Sequence, residues 1–190
     1  MCLFMGVPLI ARDLKVGAME VYFSKPILLI DYVIGKFSVI AFFLGCVTLV
    51  PSLFIFFTDI LLAEKEGHFM EAVKHLPGIF AVSVFMITTC SVLVMASSAL
   101  SRTARTAAII WFGFHMALFI VSKISAEIFS NRNLELIDPQ TSLRFLSESW
   151  FGLHSAYTWN TSIPFLYLLF FICASLWIIF RRVKGVEVVK

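Results

Sequence analysis

Charge is scarce in this chain. Asp, Glu, Lys and Arg make up 14% of its 190 residues, against roughly a quarter in soluble domains, which excludes an ordinary water-soluble fold. The net charge of +3 comes from asymmetry rather than abundance and gives no reason to expect a nucleic-acid partner. No CxxC or HExxH occurs, and Cys2, Cys46, Cys90 and Cys173 stand isolated, so they read as small packing residues. No GxxxxGK[ST] occurs either, which excludes ATP hydrolysis through a phosphate-cradling loop of that kind. The start lacks a basic region and a small-residue cleavage site, which argues against a secretory signal. There is no internal repeat, low-complexity run or linker, so residues 1–190 read as a single membrane domain.

What is present is hydrophobic sequence in long runs: 60% of residues are hydrophobic and mean hydropathy is +0.95. Four charge-free stretches, 37–58, 77–101, 106–122 and 163–180, approach the roughly 20 residues a helix needs to cross a bilayer. They lack the alternation of a barrel strand. The expectation is an all-α integral membrane protein with four full transmembrane helices, at about 27–58, 77–101, 106–128 and 163–181. Pro51 is expected to kink the first of them. Residues 1–10 cover only about 15 Å as a helix, a stub acting as an interfacial anchor or as the tail of a span.

If 12–36 is cytoplasmic, Arg12, Lys15, Lys25, Lys36, Arg102, Arg105, Arg181, Arg182, Lys184 and Lys190 share that side. Lys65, Lys74, Lys123, Arg132 and Arg144 then face out, a positive-inside distribution that makes the carboxy terminus cytoplasmic. The outer connections read as an amphipathic surface helix over 59–76 and a longer loop over 130–162 that packs on the membrane or partly re-enters it. Asp138-Pro139 is a helix start within that loop.

The most informative segment is 12–36. Taken as one helix, 12–25 puts Asp13, Gly17, Glu20 and Ser24 on a single stripe. Leu14, Ala18, Val21 and Tyr22 flank it on one side, and Val16, Met19 and Phe23 on the other. A helix resting on lipid needs one apolar face, so the second points to a protein partner. Pro26 ends the helix. Asp31 is expected beside Lys36, and Lys123 and Glu127 are expected to pair across one turn. His115, inside the third span, is an intramembrane functional candidate. His68, Glu71 and His75 share a helix face, but three ligands in a solvated connection do not define a metal site, and none is assigned.

A hydrophobic lead-in, a charged pair, then Gly17, Glu20, Ser24-Lys25-Pro26, Tyr32 and Gly35-Lys36 resembles the first cytoplasmic loop of type-2 ATP-binding-cassette transporter permeases. The order of spans and loops that follows is also similar. Two features depart from the pattern: the charged pair is reversed as Arg12-Asp13, and the first span and most of the second are missing. The short start leads to the expectation of a truncated gene or of a family member whose amino-terminal part lies on another chain.

The resemblance implies a cytoplasmic coupling helix at 12–25 that docks on a separate ATP-binding subunit through Arg12, Asp13, Gly17, Glu20, Phe23, Lys25 and Pro26. It implies a second contact at Arg102 and Arg105, and pairing with a second permease subunit, identical or not. ATP and Mg would reside in the partner, with no cofactor bound directly by this chain and no enzymatic activity of its own. The implied function is the substrate path of an ATP-driven exporter in a bacterial or archaeal cell membrane. Alternatives are a non-transporting membrane assembly subunit and an ion-coupled carrier that uses His115.

Overall fold

The charge-free runs become helices. A computed structural model describes residues 6–18, 22, 28–62, 68–153 and 157–187, apart from the side chains of 68, 70, 71 and 185–187. Its helices are α1 (Val7–Val16), α2 (Leu29–Leu62), α3 (His68–Ala99), α4 (Ala104–Ile128), α5 (Pro139–Trp150) and α6 (Ser162–Glu187), with a 3-10 helix at Arg132–Ile137. Among the described residues no strand occurs. Helices α2, α3, α4 and α6 are each long and apolar enough to cross a membrane.

Two boundaries differ from the expectation, for one reason. Hydropathy marks where hydrocarbon ends, whereas a helix continues until its backbone hydrogen bonds are interrupted. Helix α2 therefore continues through Pro51 to Leu62, and α3 begins at His68 with Pro77 inside it. The surface helix expected at 59–76 is replaced by the ends of these two long helices, with 63–67 outside the described residues. At 1.5 Å per residue, α2 is about 51 Å long and α3 about 48 Å, well beyond a hydrocarbon core of about 30 Å.

Helix α3 is the central element, packing against α1, α2, α4, α5 and α6. Its apolar window is 44% buried, against 11% for that of α4. The small residues near its end make this possible: Ser97, Ser98, Ala99 and Ser101 are all buried. Ser101 then turns the chain, its hydroxyl lying 3.3 Å from the Thr103 carbonyl. Thr103 caps α4 by accepting from the Thr106 N–H at 3.3 Å. The up-and-down order brings α1, the start of α2, the end of α3, the start of α4 and the end of α6 to one end of the bundle. That end carries Arg12, Lys36, Arg102, Arg105, Arg181 and Arg182, and is called the basic end below. A buried cluster that includes Ile10, Val33, Met95, Ala107 and Ile179 fills it.

At the opposite, acidic end, the long connection folds back. Asp138 caps α5, its carboxylate accepting from the Thr141 N–H at 3.0 Å, with Pro139 as the first helical residue. The Tyr167 hydroxyl of α6 donates to the Ile137 carbonyl. Trp150 meets Phe85 at 6.1 Å between ring centroids. Gln140 lines a groove together with Met86 and Cys90, and Cys90 lies only about 14 Å from the Ala99 end of α3 by helical rise. The 3-10 helix and α5 thus pack beside the long helices, against α4, α3 and α6.

The pairing expected between Lys123 and Glu127 is not formed. Lys123 instead contacts Glu135 at 3.0 Å, because the fold-back presents a carboxylate from the 3-10 helix to the side of α4. Tyr157 donates to the same carboxylate oxygen, also at 3.0 Å. These contacts, the Lys123 hydrogen bond foremost, hold the Glu135 carboxyl below its ordinary range.

Candidate functional site

The described part of the amino-terminal stub, from Gly6 onward, packs into the bundle as the start of α1. Val7, Ile10 and Ala11 are fully buried against α3 and α4, which raises the question of what satisfies the first N–H groups of α1. The Leu9 N–H donates to the Gly6 carbonyl at 3.2 Å, and a single hydroxyl serves the next two. Ser98 Oγ accepts from both Ile10 N and Ala11 N at 3.0 Å and donates to the Val7 carbonyl at 2.6 Å. Helix α3 therefore caps α1 from outside, and Pro8 in the first turn needs no partner for an N–H it lacks.

The other end of α1 is held by charge. Lys36 Nζ lies 2.7 Å from Asp13 Oδ2, and the Tyr32 hydroxyl donates to the same oxygen at 2.9 Å. Tyr32 and Lys36 stand one turn apart on α2, so both reach the same point. The Lys36 ammonium also sits 5.5 Å from the Tyr32 ring centroid, in cation–π range, and the Tyr22 ring lies 5.9 Å away. The Asp13 side chain is 13% exposed and that of Lys36 22%, so the pair is shielded without being fully dry. Asp13 and Lys36, near the two ends of 12–36, thus meet at one carboxylate oxygen and form a neck.

Asp31, expected beside Lys36, instead accepts from the Leu28 N–H at 3.3 Å, at the start of its own helix. Positions 31 and 36 are five apart, about 140° around a helix, so they do not face each other. Sequence reasoning had Tyr32 and Lys36 within its motif and Asp13 in its charged pair, but did not join them.

The single helix expected over 12–25 is corrected at Gly17. Helix α1 stops at Val16, and Gly17 adopts φ 67°, ψ 18°, its N–H donating to the Asp13 carbonyl. This left-handed residue changes the chain direction, so the angular register of Asp13 does not carry through to positions 20 and 24. Ala18 and Tyr22 are again helical. Arg12 is exposed and available to a partner. Glu20, Phe23, Lys25 and Pro26 lie outside the described residues.

Arg102, in the turn, and Arg105, in the first turn of α4, are both exposed. His115 lies half-buried on α4. Its Nδ1 donates to the Trp111 carbonyl at 2.9 Å, and its ring stacks on Trp111 with centroids 4.3 Å apart. It borders a mainly apolar cavity of about 170 Å³ between α3, α4 and α6, where Ser97 and Ser175 are the other polar side chains. The His115 contacts are thus made within its own helix rather than across to a neighbour. The side chains of His68 and Glu71 lie outside the described residues, and the His75 ring is 6.3 Å from that of Phe151.

The comparisons with known proteins agree with the resemblance. The family described as ABC-2 family transporter protein matches residues 1–184, which takes in α1, the neck and all four long helices. No curated protein and no solved structure matches the chain.

Proposed function

The chain belongs to the ABC-2 transporter family, and on that premise we propose that it is the permease subunit of an ATP-driven exporter, moved by a separate ATP-binding subunit that engages 12–36. Membership makes it a multi-pass membrane permease subunit and implies an ATP-binding partner and a bilayer. Export and the route of coupling are the further steps. Export rests on the family resemblance; the observation that carries the coupling route is the neck formed by Asp13, Tyr32 and Lys36. A partner that displaces the segment between α1 and α2 applies its force to α1 and, through one carboxylate oxygen, to α2. Because Ser98 fastens the start of α1 to α3, the same displacement reaches the central helix. Closure of two ATP-bound partners would then shift the permease between inward-open and outward-open packings, as a rigid-body switch biased by differential contacts.

On this reading a second permease copy completes the substrate path, and Arg102 and Arg105 form the smaller partner contact. ATP and Mg stay in the partner, because the chain has no phosphate-cradling loop. The distribution of Lys and Arg supports a cytoplasmic basic end and carboxy terminus, in the cell membrane of a bacterium or archaeon.

The test is to ask whether an adjacent reading frame encodes a P-loop ATP-binding protein, then to co-express that protein with this chain and reconstitute the pair into liposomes. Co-purification with ATPase turnover that changes when the permease is present supports the assignment. A chain that purifies alone, with no effect on that turnover, sinks it.

A further inference from the structure

The basic end contains a cavity that shares Arg102 with the smaller partner contact but is otherwise lined by residues to which the coupling route gives no role. It lies between the turn after α3 and the last turns of α6, has a volume of about 640 Å³, and is lined by Arg102, Arg181 and Arg182 together with Trp177, Ile178 and Leu14. Among the described residues none of the three arginines makes an ion pair with a carboxylate. Asp13, the acidic residue of α1, is already engaged by Lys36 and Tyr32. Three like charges around one concavity repel one another unless an anion enters.

The shape of α6 indicates which anion. Ile163, Leu166, Phe170 and Trp177 are exposed and fall within about 60° of one another around the helix, so they form a single apolar stripe. Arg181 continues the same stripe, and its guanidinium lies 5.0 Å from the Trp177 ring centroid. The charge-free run ends at Phe180, so Arg181 and Arg182 stand where hydrocarbon gives way to headgroups. A molecule that fits has an anionic head at the arginines and an apolar tail along the stripe.

We propose that this cavity binds the phosphate headgroup of an anionic phospholipid, held by Arg102, Arg181 and Arg182, with an acyl chain lying on the exposed face of α6. Trp177 orients Arg181 through the cation–π contact and marks the depth of the headgroup. The site would tie the turn between α3 and α4 to α6 through a lipid, a connection that no carboxylate among the described residues makes. Its existence does not depend on which partner docks at 12–36.

Native mass spectrometry of the purified full-length protein tests this, with phosphatidylglycerol, phosphatidylcholine and inorganic phosphate titrated separately and in competition. Phosphatidylglycerol should bind in preference to phosphatidylcholine, and millimolar inorganic phosphate should not displace it. Each arginine near an anionic headgroup is worth roughly a fivefold gain in affinity. Replacing all three by Gln should weaken phosphatidylglycerol binding about a hundredfold, whereas Arg144→Gln at the acidic end leaves it unchanged. If the triple variant does not survive purification, the unaltered protein still decides, since charge-driven binding must weaken as salt rises. Equal retention of the two lipids, full displacement by inorganic phosphate, or binding indifferent to salt would each overturn the proposal.

Discussion

Replacing Lys36 by Met is the sharpest probe of the neck, because it keeps the length and apolar stem that cover Tyr32 while removing the charge. The gross attraction at 2.7 Å is about 6 kcal/mol at an effective dielectric of about 20, but desolvation of both groups offsets most of it. Exposed pairs are worth roughly 0.2–1 kcal/mol, and breaking a fully buried pair costs about 3–5 kcal/mol. With side chains 22% and 13% exposed, Lys36→Met should cost about 2 kcal/mol, a Tm decrease of roughly 4–8 °C for a chain of this size. Asp13→Asn should cost less, since the amide oxygen still accepts from Tyr32. The double variant should be less destabilised than the sum of the singles by about 1–2 kcal/mol, because no stranded charge remains. Thermal unfolding in detergent gives this cycle, and ATP turnover of the complex with its partner, measured on the same proteins, gives the functional half. Strict additivity of the two substitutions would show that the pair is not energetically coupled. Unchanged turnover in a folded Lys36→Met complex would show that the neck transmits nothing.

Three further outcomes follow from separate contacts. Ser98→Ala strands the buried Ile10 N–H, since Ala11 N can return to the Val7 carbonyl, and should cost about 1–3 kcal/mol in thermal unfolding while leaving the Lys36 cycle unchanged. Gly17→Ala meets no atom within 4 Å of its new Cβ, so the whole penalty is the left-handed backbone, about 1–2 kcal/mol; Asn at 17 should recover part of it. The Glu135 carboxyl is held below its ordinary value in the folded state, so its contribution is complete above the unfolded value of about 4.3 and disappears as pH falls through the lowered folded value. Glu135→Gln should therefore lower Tm at neutral pH and flatten the acid limb of a Tm-against-pH curve, an effect that shrinks in high salt.

The helical class and the four spans were legible because lipid imposes them: long uncharged runs can be satisfied only by internally hydrogen-bonded helices. Asp138 as a cap was legible for a similar local reason, since Asp-Pro presets a helix start. What escaped was non-local. The i,i+4 rule relates Tyr32 to Lys36 but does not indicate that Asp13 on another helix meets both, and it favoured Lys123 with Glu127 when the fold-back offered Glu135. The break at Gly17 had a local signal, a glycine after Lys15 in a last turn. That signal was outweighed by an apolar pattern that stays regular across it. The Ser98 cap had no local signal, because nothing in the run Ser97-Ser98-Ala99-Leu100-Ser101 distinguishes the capping serine from its neighbours.

The placement of these contacts bears on how a short helix could transmit force. Helix α1 is about 15 Å long, too short to be stable alone in water, yet it is tied at its start to Ser98 and at its end to Asp13's two partners. Between them, Ile10 and Ala11 are completely buried. A helix pinned at both ends and packed along its length moves with its neighbours or not at all. The backbone freedom lies immediately beyond it, at a glycine with φ 67° and open space around it. A displacement applied beyond Gly17 can therefore change direction there before it meets the rigid part. That arrangement separates two kinds of damage. Straining position 17, at a stability cost of about 1–2 kcal/mol, should cut partner-stimulated turnover by more than that cost alone accounts for, whereas loss of the Ser98 cap should lower turnover only as far as it loosens the bundle. Partner-stimulated turnover and thermal stability, measured together on the two variants, should move in opposite proportions, and equal loss of both in each would refute the division.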